Sequence, residues 1–99
     1  MRVELFYFDG CPNWAVVDER LRAALNLAGR SDVLIERHRV QTLEQAAEVG
    51  FLGSPTVRID GRDPLAQGGE QVALSCRVFS TPAGLAGSPT VEQLLEALS

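Results

Sequence analysis

Cysteine and histidine are scarce in this 99-residue chain, which has only Cys11, Cys76 and His38. With so few ligands, a four-ligand zinc site needs at least one carboxylate. The two cysteines also lie too far apart in sequence to form a local zinc motif. There is no basic excess either: the net charge is −4, so a general nucleic-acid binder, which presents a basic face, is not expected. Arginines are scattered except in Arg37-His38-Arg39, read as a solvated face with no catalytic role for His38. No stretch approaches the roughly 18-residue apolar run of a membrane span. Met1-Arg2-Val3-Glu4-Leu5 enters a strand pattern with charges inside it, unlike a secretory signal. The expectation is a cytoplasmic protein with neither nucleic acid nor membrane as partner. No cofactor is expected, and there is no repeat, linker or low-complexity segment.

What is present suffices for one packed domain over residues 1–99. Apolar residues make up 45% of the chain and charged residues 22%, the balance of a globular chain and not of a disordered one. Residues 3–8, Val-Glu-Leu-Phe-Tyr-Phe, read as a strand buried on both faces. Asp9-Gly10 ends it, and Cys11-Pro12 leads into a helix over 12–28 whose apolar stripe is Val17, Leu21, Ala24, Leu25 and Ala28. Residues 33–40 form a wetter strand, placed at a sheet edge. Thr42 and Gln45 have capping-box spacing for a short helix ending near Gly50. Residues 56–60 alternate as a strand. Pro64, Gly68 and Gly69 mark 62–72 as a flexible loop. Residues 72–79 read as a fourth strand with Leu74, Cys76 and Val78 on one face. Ser88-Pro89 starts a last helix with stripe Val91, Leu94, Leu95 and Leu98. The order β-α-β-α-β-β-α predicts an α/β domain: a four-stranded mixed sheet with helices on both faces, its first two strands parallel and its last two an antiparallel hairpin.

That order, Phe8-Asp9-Gly10-Cys11-Pro12 between the first strand and helix, and Ser54-Pro55-Thr56-Val57-Arg58-Ile59-Asp60-Gly61 together resemble the thioredoxin-like superfamily. The resemblance implies a cis Ser54–Pro55 bond facing a reactive thiol, and a third strand antiparallel to the first. It also implies a groove at Ser54, Pro55 and Thr56, with Ser54 main chain free to grip an extended substrate. The chain departs from active thioredoxins and dithiol glutaredoxins at Cys11-Pro12-Asn13-Trp14, where Trp14 replaces the second cysteine of Cys-x-x-Cys. A fainter resemblance is to small bacterial thioredoxin-like proteins sometimes grouped with alkylmercury lyases. Those lyases use two cysteines and an aspartate, and their second cysteine lies in a strand like Ser75-Cys76-Arg77-Val78-Phe79. Trp14 again replaces the aspartate.

A helix start offers unpaired N–H groups and partial positive charge, which favour a thiolate. Cys11 is placed to use them, and Asp9 works in the opposite direction. The expected function is monothiol thiol–disulfide exchange or thiol-adduct transfer through Cys11, with a protein or small-molecule thiol or disulfide as partner. Pro12, Trp14, Ser54, Pro55 and Thr56 shape the site. Cys76 reads either as a core thiol or as a second catalytic thiol, and Trp14 as a cover for Cys11 or a packed aromatic. Two further readings are a soft-metal or organomercurial site held by Cys11 and Cys76, and a binding module without catalysis.

Overall fold

The computed structural model describes residues 1–66, 68 and 70–98; Gly69, one of the three turn residues of the expected loop, lies outside them. Strand β1 (Val3–Tyr7) is central, flanked by β2 (Ile35–Arg39) and β3 (Thr56–Ile59) in the order β2-β1-β3. β2 runs parallel to β1, with Val3 opposite Ile35, and β3 runs antiparallel, with Phe6 opposite Thr56. These orientations and the edge position of β2 match the sequence reading.

Side-chain alternation along β1 divides the core. Val3 and Leu5 face helix α1 (Asn13–Leu27) and helix α3 (Val91–Ala97), packing with Val17, Leu21, Leu25, Val57 and Leu94. Phe6 faces the other way and packs with Val40, Phe51 and Ala46 of helix α2 (Leu43–Val49). Helices therefore cover both faces of the sheet.

The four-stranded sheet is not formed. Residues 72–78 contain no regular strand; in place of the expected antiparallel hairpin with the third strand, their one β-bridge is parallel, Ser54 to Cys76. The next strands, β4 (Phe79–Thr81) and β5 (Gly84–Ala86), pair antiparallel in a separate hairpin. The buried face also differs from residue 76 on: Arg77 and Phe79 point inward, whereas Cys76 and Val78 are exposed; Leu74, as expected, packs on the core beside Phe51. The physical reason is Arg77. Its guanidinium reaches Asp63 at 2.7 Å with both side chains nearly buried, and it lies 4.7 Å over the Phe79 ring. This anchor draws the segment across the start of β3 and not along it. It also ties the segment to Asp63, within the 62–72 loop.

Two helix starts are corrected. Thr90, not Ser88, caps α3, in a reciprocal capping box with Gln93, because the Ser88 hydroxyl accepts from Arg20 at 2.8 Å. At α2, Thr42 accepts from the Gln45 N–H as expected, but the Gln45 side chain accepts from Gln41 N–H and not from Thr42. At α1, Pro12 is the cap residue.

Candidate thiol site

Because β3 is antiparallel to β1, the end of β1 and the start of β3 lie at the same edge of the sheet. The chain turns there through Asp9 and Gly10, closed by Cys11 N–H donating to the Phe8 carbonyl at 3.1 Å, and Cys11 precedes α1. On the facing side the Ser54–Pro55 bond is cis, as expected. Ser54 ties the two sides together. Its hydroxyl accepts from the Phe8 N–H at 3.1 Å, and its carbonyl lies 3.5 Å from Cys11 Sγ, within reach of a thiol hydrogen bond.

Residues 73–77 cross this edge as a strap. Ser54 N–H donates to the Ser75 carbonyl at 2.7 Å, and the Ser54 carbonyl accepts from Arg77 N–H at 2.8 Å. Ala73 N–H donates to the Phe51 carbonyl at 3.2 Å. The expected free main chain of Ser54 is thus already paired. Gly53 permits the close approach: a Cβ there would sit 3.2 Å from both Arg77 Cβ and the Ser75 carbonyl, and its φ of +106° is a region side-chain-bearing residues avoid.

The strap brings the two cysteines together. Cys76 bridges Ser54, whose carbonyl faces Cys11 Sγ; hydrogen bonding with Cys11, then burial, then charge on Cys11 push the Cys76 thiol above its ordinary value. Cys11 is 0% exposed and Cys76 is exposed, so the pair is layered, with Cys76 outside.

The other expected site residues lie around this pair. Pro12 is exposed at the helix cap. Pro55 is fully buried, and the Thr56 hydroxyl donates to the Gly53 carbonyl at 2.7 Å, bracing the turn from inside. Trp14 stacks on Tyr7, ring centres 4.3 Å apart, and packs against the α1–α3 core. Asp9 turns outward and pairs with Arg39 at 3.0 Å, its side chain 61% exposed. Arg37 pairs with Asp18, so the basic run is exposed but engaged. His38 is half-buried, stacked on Phe6 with Nε2 3.1 Å from Glu4.

Ser75, Arg77, Asp63 and Gly53 were not foreseen in the sequence. The only signal was an arginine inside an apparent strand, which inverts that strand's buried face if the arginine is the inward residue. A cleft of about 390 Å³ lies behind the strap, lined by Leu65, Glu70, Arg77, Phe79 and Gln93, and neither cysteine lines it. Glu4, Glu36 and His38 converge at the β1–β2 edge, where Arg2 already pairs with both carboxylates. No helix among the described residues is long and apolar enough to cross a membrane. No protein-family model matches the chain, and no curated protein or solved structure matches it.

Proposed function

We propose that this is a thioredoxin-like domain that performs thiol–disulfide exchange through the pair Cys11 and Cys76. The observation that carries the reading is that Ser54 meets both cysteines: its main chain bridges to Cys76, and its carbonyl lies 3.5 Å from Cys11 Sγ. A thiolate displaces one sulfur of a disulfide and forms a mixed disulfide, and a neighbouring thiolate resolves it. Trp14 takes the place of a second cysteine on the helix; the strap supplies one from the far side. The monothiol expectation therefore becomes a two-thiol proposal, in which the oxidised form is a Cys11–Cys76 disulfide. The three-stranded core with Cys11 between β1 and α1 supports the fold resemblance. The test is catalysed exchange between a small disulfide and excess monothiol. Wild type is expected to accelerate it, and Cys11→Ser and Cys76→Ser to fall to the uncatalysed rate. No acceleration by wild type would leave the binding-module reading in its place.

The layered thiols also favour a second reading, a soft metal ion held by Cys11 and Cys76, since paired thiolates suit such ions. Titration with Cu(I) would then saturate at one ion per chain and fail in either cysteine variant. Cleavage of a carbon–mercury bond needs an acid as well, and Asp9, the nearest candidate in sequence, is committed to Arg39.

A further inference from the structure

We infer that residues 75–77 occupy, from within the chain, the main-chain groove at Ser54 that an extended substrate would use, so that the thiol pair is served by a small disulfide arriving at Cys76 and not by a docked polypeptide. The inference rests on the exchange reading above and names its substrate class.

Three observations carry it. First, Ser54 has one N–H and one carbonyl to offer a passing chain, and both are paired to the strap, at 2.7 and 2.8 Å. Main-chain pairing of this kind gives an added peptide strand its affinity, so a polypeptide would have to displace the strap before it could dock. Second, the strap is anchored by more than those bonds. Arg77 and Asp63 form an ion pair with side chains 5% and 10% exposed, and lifting the strap would separate two charges held out of water. Gly53 lets the strap lie directly on the turn. Third, the sulfurs are layered, Cys11 fully covered and Cys76 exposed. An incoming disulfide meets Cys76 first.

The chemistry balances without a further reagent. Cys76, as thiolate, attacks one sulfur of RS–SR. The Cys76–SR bond forms, the RS–SR bond breaks, and RS⁻ leaves to take up the proton Cys76 gave to solvent. Cys11, as thiolate, then attacks the Cys76 sulfur. The Cys11–Cys76 bond forms and a second RS⁻ leaves, balanced by the Cys11 proton. The protein loses two electrons and the disulfide becomes two thiols. The buried sulfur is thus the resolving one, and its partner on the strap makes the entry.

The experiment compares two oxidants on reduced wild-type protein: bis(hydroxyethyl) disulfide, and an extended peptide whose single cysteine carries the same hydroxyethyl leaving thiol. Amide hydrogen exchange at Ser54 and Arg77 is followed alongside. The small disulfide is expected to form the Cys11–Cys76 bond at least about tenfold faster than the peptide, with both amides protected like those of the core strands. In Cys76→Ser, reaction of the remaining Cys11 should fall at least about tenfold, because the strap still covers it. Oxidation of the pair by the peptide as fast as by the small disulfide, or undiminished Cys11 reaction in Cys76→Ser, would overturn the inference while leaving exchange at the pair intact. If neither oxidant joins the pair, both the inference and the exchange reading fall.

Discussion

Cys76 is the residue whose chemistry the fold changes most visibly. Its thiol is held up first by its hydrogen bond to Cys11, then by burial, then by charge on Cys11. A raised value means less thiolate at a given pH, so alkylation of Cys76 should rise only above the ordinary thiol range. Two of the three causes vanish in Cys11→Ala. That variant is therefore expected to alkylate at Cys76 several-fold faster than wild type at about pH 8, as read by stopped-flow with iodoacetamide and peptide mapping. A slower or unchanged rate would show that the two thiols are not in contact. Thr56 makes a second residue-scale case. Its buried hydroxyl is hydrogen-bonded to Gly53, and Thr56→Val keeps the shape but leaves that carbonyl without its partner. A loss of about 1–3 kcal/mol in urea unfolding is expected. The sequence points to Thr56 only through its place after Pro55; its bracing role depends on a turn whose partner only the folded chain supplies.

Among the elements, strands and helices with a strong period were legible and the connection at 62–78 was not. β1 announces itself through an aromatic and branched run, and α1 through its apolar stripe. Residues 72–79 carry an alternation of comparable strength, but alternation does not say which parity is buried. An apolar inward set of Leu74, Cys76 and Val78 is the natural reading. Leu74 does pack on the core, but the ion pair between Arg77 and Asp63 turns Cys76 and Val78 outward, because burying one ordered pair also secures the hydrogen bonds of the strap. Without Asp63 the buried Arg77 guanidinium keeps only the longer contact with Glu70, at 3.6 Å, so Asp63→Ala is expected to destabilise the domain by about 3 kcal/mol in chemical denaturation. A change below about 1 kcal/mol would mean that Arg77 does not hold the strap. The start of α3 offers a cleaner contrast. Ser88 and Thr90 are both good caps by composition, and the choice turns on Arg20 reaching Ser88 from α1. Thr90→Ala should therefore cost about 1 kcal/mol through loss of the capping box, measured by thermal unfolding with α3 reported by amide exchange.

For the molecule as a whole, the sheet order decides what meets what. A parallel β1–β2 pair and an antiparallel β1–β3 pair bring Cys11 and Ser54 to one edge, and that much was legible from element order and two short motifs. The partnership of Cys11 with Cys76 was open in the sequence because separation along the chain carries no distance. The strap sets that distance, and it is built from single main-chain bonds and the ion pairs of Arg77 with Asp63 and Glu70, which leave no periodic trace. The central claim is that these two thiols act as one redox unit. Equilibration of the reduced protein in glutathione redox buffers, followed by intact mass and peptide mapping, tests it most directly. The account predicts one oxidised species, a monomer with Cys11 joined to Cys76, whose fraction follows the ratio of glutathione disulfide to the square of reduced glutathione. Accumulation of a Cys76–glutathione adduct with Cys11 free, and no joined pair at any ratio, would contradict it.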